Sequence, residues 1–240
     1  MNKAFAVRVQ TYWNRRSEGF SAVRRRELAS SDAAAWQAYI QQFIPEKKQL
    51  NVLDVGTGPG FLAILMARLG HNVMGIDSSD GMIQEARQNA ARAGVFVDFS
   101  VADAQNLPFA SEKFDLVLSR NLTWNLPDVA AAYQDWQRVL RPGGLLLNFD
   151  SDYGAVRFTQ TAKDEENIHH DIDNALLREC EDLKAALKIS RKCRPAWDMQ
   201  CLENLGFHAC TCQRDIRHLV HTSKDMQYDS SPIFCLKAMK

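Results

Sequence analysis

The sequence predicts an α/β fold: a doubly wound, mostly parallel seven-stranded sheet with helices on both faces, the last strand antiparallel, and a helical insertion after the fifth strand. Three observations predict it. Short apolar runs alternate with stretches of helical periodicity from residue 32 onward. Those runs are apolar almost throughout, the pattern of strands covered on both faces. The first of them ends in a glycine-rich turn, Gly56-Thr57-Gly58-Pro59-Gly60, set between strand and helix.

Taken in order, residues 32–44 place Trp36, Tyr39, Ile40, Phe43 and Ile44 at helical spacing, with Asp32 as N-cap. Residues 51–55 form a strand, and 61–69 a helix stopped by Gly70. Residues 72–76 form a second strand closed by Asp77, and 80–93 a helix ending at Gly94. The third and fourth strands fall at 97–101 and 114–118, followed by a helix over 127–140. Arg141-Pro142-Gly143-Gly144 is a turn, and 145–149 the fifth strand. The rhythm then breaks. Residues 164–182 carry eight acidic residues against Arg178 and read as a surface helix. A helix over 197–205, stopped by Gly206, precedes two last strands at 207–216 and 233–238. The whole reads as one domain, 1–240: an N-terminal helical lid (1–45), a binding core (46–150), a helical insertion covering an acceptor (151–200) and the last two strands (201–240).

Composition bounds the function. Hydrophobic residues make up 46% and charged residues 24%, as in ordinary globular chains, which excludes disorder and fibrous repeats. The 29 Lys and Arg cancel 29 Asp and Glu, so no global field draws the chain to nucleic acid or to an anionic membrane. Residues 1–28 depart from this balance, with seven basic residues against Glu18 and Glu27. Two readings of that run are open, a solvated amphipathic helix and an anion-binding lid. No run reaches the ~18 apolar residues of a membrane helix, and no secretory signal is legible. The six cysteines, Cys180, Cys193, Cys201, Cys210, Cys212 and Cys235, form no CxxC and read as reduced, structural thiols rather than a metal site. The expectation is a cytoplasmic protein, monomeric or homodimeric.

The glycine turn is where an α/β sheet binds a nucleotide-like ligand, beyond the carboxyl ends of its strands. Its spacing differs from the dinucleotide fingerprint G-x-G-x-x-G, whose last position would fall on Phe61. Asp77 lies 19 residues past Gly58 at the end of the second strand, where a carboxylate can accept both ribose hydroxyls. Asp54, beside the turn, would repel a pyrophosphate but suits a ligand with an ammonium group. The glycine spacing and Asp54 count against a nicotinamide-dinucleotide oxidoreductase.

Five segments, VLDVGTGPG (52–60), NVMGIDSSDGMI (72–83), VADAQNLPF (101–109), FDLVLSRNLTWNLPD (114–128) and LRPGGLL (140–146), occur in order. With them the chain resembles class I S-adenosylmethionine-dependent methyltransferases, in the small-molecule subgroup similar to ubiquinone/menaquinone-biosynthesis enzymes. The resemblance implies S-adenosylmethionine as cofactor, with Gly56, Thr57, Gly58 and Gly60 around its methionine part and Asp54 at its amino group. It implies Asp77 at the ribose, Ser78 and Met82 beside the adenine, Asp103 and Ala104 at the ring's polar edge, and Arg120 and Asn121 near the sulfonium. Tyr12, in Tyr12-Trp13-Asn14, resembles the tyrosine of a helix that lids the cofactor.

The acceptor is a small molecule on this reading. The fourth strand lacks the [ND]-P-P-[YF] of amino-group methyltransferases, and no Pro-Cys of cytosine-carbon enzymes occurs. Candidates for a base or for acceptor contacts are Asn121, Trp124, Asp150, Asp152, Tyr153, His169 and His170, with Asp150 and Asn121 first as catalytic groups. A non-catalytic protein that senses the cofactor or its demethylated product is the rival reading; metalloid and macromolecular acceptors stay open as variants. Residues 1–28 carry net charge +5 and residues 164–182 carry −7. Two readings follow: the two segments close together over the ligand, or they are independent solvated helices whose charges keep the protein soluble.

Overall fold

The computed structural model describes residues 3–45, 48–158 and 172–240. Helices α1 (Lys3–Ala29) and α2 (Ser31–Gln41) precede the sheet. The alternating core follows: β1 (Asn51–Val55), α3 (Phe61–Arg68), β2 (Asn72–Asp77), α4 (Asp80–Arg92), β3 (Asp98–Val101), β4 (Phe114–Arg120), α5 (Val129–Val139) and β5 (Leu140–Asp150). The last third supplies α6 (Asn174–Ala186), α7 (Ala196–Asn204), β6 (His208–Gln213), a short α8 (Arg217–Val220) and β7 (Phe234–Met239). The sheet order is β3-β2-β1-β4-β5-β7-β6. Strands β1 to β5 are mutually parallel, and β7 runs antiparallel to both of its neighbours. The order reverses between β1 and β4, which places the carboxyl ends of these strands at the crevice where such sheets bind ligands.

The apolar strands require two cores, one on each face. Trp36, Ile40, Ile64 and Phe149 pack under α2 and α3. Tyr133, Trp136, Val139 and Leu202 pack under α5 and α7. Both tryptophans are fully buried, and a side chain of this kind contributes about 1.5–3 kcal/mol by leaving water. Trp136 donates from Nε1 to Ala104 O at 2.9 Å, tying α5 to the loop after β3.

Several boundaries differ from the sequence reading, each for a local reason. The N-cap of α2 is Ser30, whose side chain accepts from Asp32 N, and not Asp32. Asp32 is buried and accepts from Thr222 N (2.6 Å), Ser223 N (2.7 Å) and Tyr228 Oη (2.9 Å), holding down the segment after α8. Strand β5 begins at Leu140, which pairs with Phe114; the register then jumps to Leu145 opposite Leu116, so residues 141–144 form a turn inside the strand. Strand β6 ends at Gln213, leaving room for α8. Among the described residues no helix is long and apolar enough to cross a membrane, and no group of His, Cys, Asp or Glu has metal-binding geometry. All six cysteines are free.

Candidate active site

The glycine turn crosses from β1 to α3 with Thr57 N donating to Ile76 O at 2.8 Å. Gly56 has φ +68°, and a Cβ there would lie 2.7 Å from both methyls of Leu122. Gly60 has φ +90° and brings α3 against β3 and α4: its Cβ would meet Phe99 at 3.2 Å and Ala86 at 3.3 Å. Asp54 at the end of β1 is buried, its Oδ2 accepting from Thr57 Oγ1 (2.7 Å) and Ala63 N (3.0 Å). Asp77 closes β2, with Oδ2 accepting from Gly58 N (3.0 Å) and Oδ1 from Ser79 N (2.9 Å). Burial pushes both carboxyls up, each to about 6, against the hydrogen bonds that favour the ionised form.

Three cavities meet here. The largest, of about 420 Å³, runs from Gly56, Gly58, Asp77 and Ser78 past Met82, Asp103 and Ala104 to Arg120 and Asn121. Helix α1 roofs it with Ala6, Val7, Val9, Gln10, Trp13 and Phe20. That roof is anchored: Gln10 Nε2 donates to Ser78 O at 2.7 Å, and Asn14 Oδ1 accepts from Ser79 Oγ (2.6 Å) and Gly81 N (3.1 Å). A second cavity of about 110 Å³ shares Trp13, Phe20 and Asn121 with the first. A third, of about 40 Å³, lies between Asp54, Gly56, Thr57, Gly58, Arg24 and Arg120. Asn121 borders all three. It has φ +54°, and its buried Oδ1 has no partner among the described residues.

Cation groups surround the third cavity. Glu27, fully buried, pairs with Arg24 and with Arg120, whose Nη2 donates to Glu27 Oε1 at 2.8 Å. Burial disfavours the Glu27 carboxylate, but Arg120 and Arg24 outweigh it and bring its carboxyl down to about 2. The Arg120 guanidinium also lies over Trp36 (4.4 Å) and Phe61 (4.8 Å), and its Nε and Nη1 have no hydrogen-bond partner among the described residues.

The structure therefore brings Gly56, Gly58, Asp77, Ser78, Met82, Asp103, Ala104, Arg120 and Asn121 to one cavity. It places four expected residues elsewhere. Gly60 borders none of the described cavities and serves helix–sheet packing. Asp54 and Thr57 line the small third cavity while bonding each other. Tyr12 lines the second cavity and packs edge-on against Trp13, with ring centroids 5.1 Å apart.

Asp150, expected as the first catalytic group, lies away from the three cavities. It is fully buried, and its carboxylate accepts from Thr123 Oγ1, Trp124 N (3.0 Å) and Ser151 N (2.8 Å). Arg194, 3.4 Å away, pairs with it and also forks onto Asp198, so Asp150 is locked in a structural network. The residue before a loop is turned inward by an arginine more than 40 positions away, which no local pattern announces. Asp152 caps Gly154 N at 3.2 Å. Trp124 and Tyr153 line the second cavity as an edge-on pair. His169 and His170 lie outside the described residues, as does the first part of the acidic segment. Its described part meets α1: Arg8 forks onto Glu179 at 2.6 and 2.8 Å. Sequence reasoning missed Arg16, Phe20, Arg24 and Glu27. A four-residue stripe on α1 (12, 16, 20, 24) was the available signal.

Residues 53–148 match a family model described as a methyltransferase domain. That segment is similar to methyltransferase domains. It spans β1 almost to the end of β5 and carries the glycine turn, Asp77, Asp103 and Asn121. Among curated relatives, the ubiquinone biosynthesis O-methyltransferase of Dinoroseobacter shibae is 38% identical over 100 residues, covering 42% of this chain and 40% of the relative. The ubiquinone biosynthesis O-methyltransferase of Chelativorans sp. is 32% identical over 148 residues, covering 60% of this chain and 58% of the relative. The chain thus matches roughly two to three fifths of these relatives' length. A SAM-dependent methyltransferase of Thermotoga maritima shares the fold at TM-score 0.59 and 21% identity, over 96% of this chain and 99% of the other.

Proposed function

We propose that the chain is an S-adenosylmethionine-dependent methyltransferase acting on a small-molecule acceptor. The observation that carries this is the junction at Asn121. A nucleoside-sized cavity, with a ribose-type carboxylate at Asp77 and a polar edge at Asp103, adjoins there an aromatic cavity with which it shares Trp13, Phe20 and Asn121. Its 420 Å³ lies within the usual range of about 300–1,000 Å³ for small-ligand sites. The unpartnered Nε and Nη1 of Arg120 and the Asp54 carboxylate fit the two charged ends of an amino acid.

On this reading Asp77 accepts the ribose hydroxyls, Ser78 and Met82 flank the adenine, and Asp103 and the Ala104 backbone meet its edge. Gly56 and Gly58 allow close backbone approach at the methionine part, beside Asp54 and Thr57. When bound, S-adenosylmethionine supplies an electrophilic methyl carbon on a positively charged sulfur. The protein's work is alignment and dryness: collinear placement of acceptor and methyl carbon, and exclusion of water by the α1 roof. Asn121 Oδ1, unpartnered where the cavities meet, is positioned to accept a proton-bearing group of the acceptor and orient it. Residues 3–45 act as the lid and α6 as part of the acceptor cover.

The relatives' names suggest oxygen as the accepting atom, and a hydroxyl on a ring is the acceptor we expect. Incubation with S-adenosylmethionine labelled in its methyl group and a panel of phenols and catechols tests this. Label should pass to at least one of them. Binding of the cofactor with no label transferred across the panel would favour a sensing protein.

A further inference from the structure

We infer that the second cavity holds the ring of the methyl acceptor and that Arg16 binds a carboxylate on that ring, so the acceptors are monocyclic aromatic carboxylates. This rests on the first cavity being the S-adenosylmethionine site.

The cavity is walled by rings. Trp124, Tyr153 and Phe158 pack against one another with centroids 5.2, 5.6 and 5.3 Å apart, and Trp13 and Phe20 close the side toward Asn121. Its volume of about 110 Å³ is below the ~150 Å³ of an apolar cavity that takes up benzene, which limits it to one ring and excludes a fused or long-chain acceptor.

Arg16 lines this apolar space with only 9% of its surface exposed. Its Nε has no hydrogen-bond partner, and no carboxylate lies in ion-pair range among the described residues. The groups acting on it are the hydroxyl of Tyr12 and the thiol of Cys180, both of which burial keeps protonated and neutral. An arginine cannot escape this cost by losing its proton, and among the described residues no anion compensates the buried charge. A neutral ring would leave it so, and a cationic ring would add repulsion.

The other charged groups at the cavity are already engaged. Arg24 pairs with Glu27. Asp229, the one acid among the described lining residues, accepts from Ser231 N at 2.8 Å and lies in ion-pair range of neither arginine. The guanidinium fork matches a carboxylate in both shape and charge.

Calorimetric titration tests the assignment, with the protein saturated in S-adenosylhomocysteine and benzoate, the three hydroxybenzoates and benzamide as probes. We expect at least one carboxylate to bind ten times or more tighter than benzamide. Arg16→Gln should abolish that preference and Arg16→Lys retain part of it, while both keep the affinity for S-adenosylhomocysteine. The inference is overturned by benzamide binding as well as the carboxylates in wild type, by no carboxylate binding at millimolar concentration, or by a preference that survives Arg16→Gln. Loss of S-adenosylhomocysteine together with the carboxylates in Arg16→Gln would assign Arg16 to the cofactor, and overturns it equally. The wild-type comparison needs no variant to fold. A wild type that fails to bind S-adenosylhomocysteine fails the underlying reading instead, and is told apart by that titration alone.

Discussion

At the scale of single residues, Asp77 carries the most. Its two oxygens are held by Gly58 N and Ser79 N, which fixes the carboxylate at the mouth of the main cavity. Asp77→Ala should weaken S-adenosylhomocysteine binding by about 1.5–3 kcal/mol, the usual loss for a hydrogen bond to a charged group. An affinity within twofold of wild type by calorimetry would reduce Asp77 to a turn residue. The same carboxyl sets a pH dependence. Burial raises it to about 6, above the ordinary carboxylate value, so the unliganded protein gains stability from it at low pH and loses that gain as pH rises through 6. Ribose hydroxyls donate to the ionised form, so binding must expel the proton below pH 6. Affinity should fall roughly tenfold from pH 7 to pH 5. A flat profile would show that the ligand does not engage an ionised Asp77.

At the scale of elements, α1 is both roof and anchor. Its C-terminal half is pinned by Glu27, which lies fully buried between Arg24 and Arg120 and so ties the helix to the end of β4. Glu27→Gln removes one charge and leaves two buried cations. It should cost about 3–5 kcal/mol of stability in chemical denaturation, and a loss below 1 kcal/mol would contradict the network. The Arg24 and Arg120 charges favour ionised Glu27, so its stabilisation is present above its ordinary range and disappears as pH falls toward 2. The N-terminal half is held by the Gln10 and Asn14 hydrogen bonds to residues 78–81 and by Arg8 with Glu179 on α6, an exposed pair of the kind that contributes only about 0–1 kcal/mol. Hydrogen exchange should therefore show residues 12–20 gaining protection when S-adenosylhomocysteine binds. No change in that stretch would show a roof already closed.

At the scale of the whole molecule, the alternating core was legible because its strands are mostly apolar and helices α3 and α4 stop at Gly70 and Gly94. The cofactor-side residues were legible too, since Gly56, Gly58 and Asp77 sit at fixed spacing on consecutive elements. What stayed hidden depends on distant pairing. Asp150 looks available in sequence, yet Arg194 turns it into the core, and Asp32 reads as a cap until the segment after α8 claims both of its oxygens. Likewise, the basic run of α1 divides in space: Arg8 and Arg15 face solvent, whereas Arg16 and Arg24 face cavities. The central claim is that the crevice at the β1–β4 switch binds S-adenosylmethionine and its product rather than a dinucleotide. Calorimetric titration of the purified protein with S-adenosylhomocysteine and, separately, with NAD tests it most directly. We expect saturable binding of S-adenosylhomocysteine at one per chain and none of NAD; binding of NAD without S-adenosylhomocysteine would contradict it.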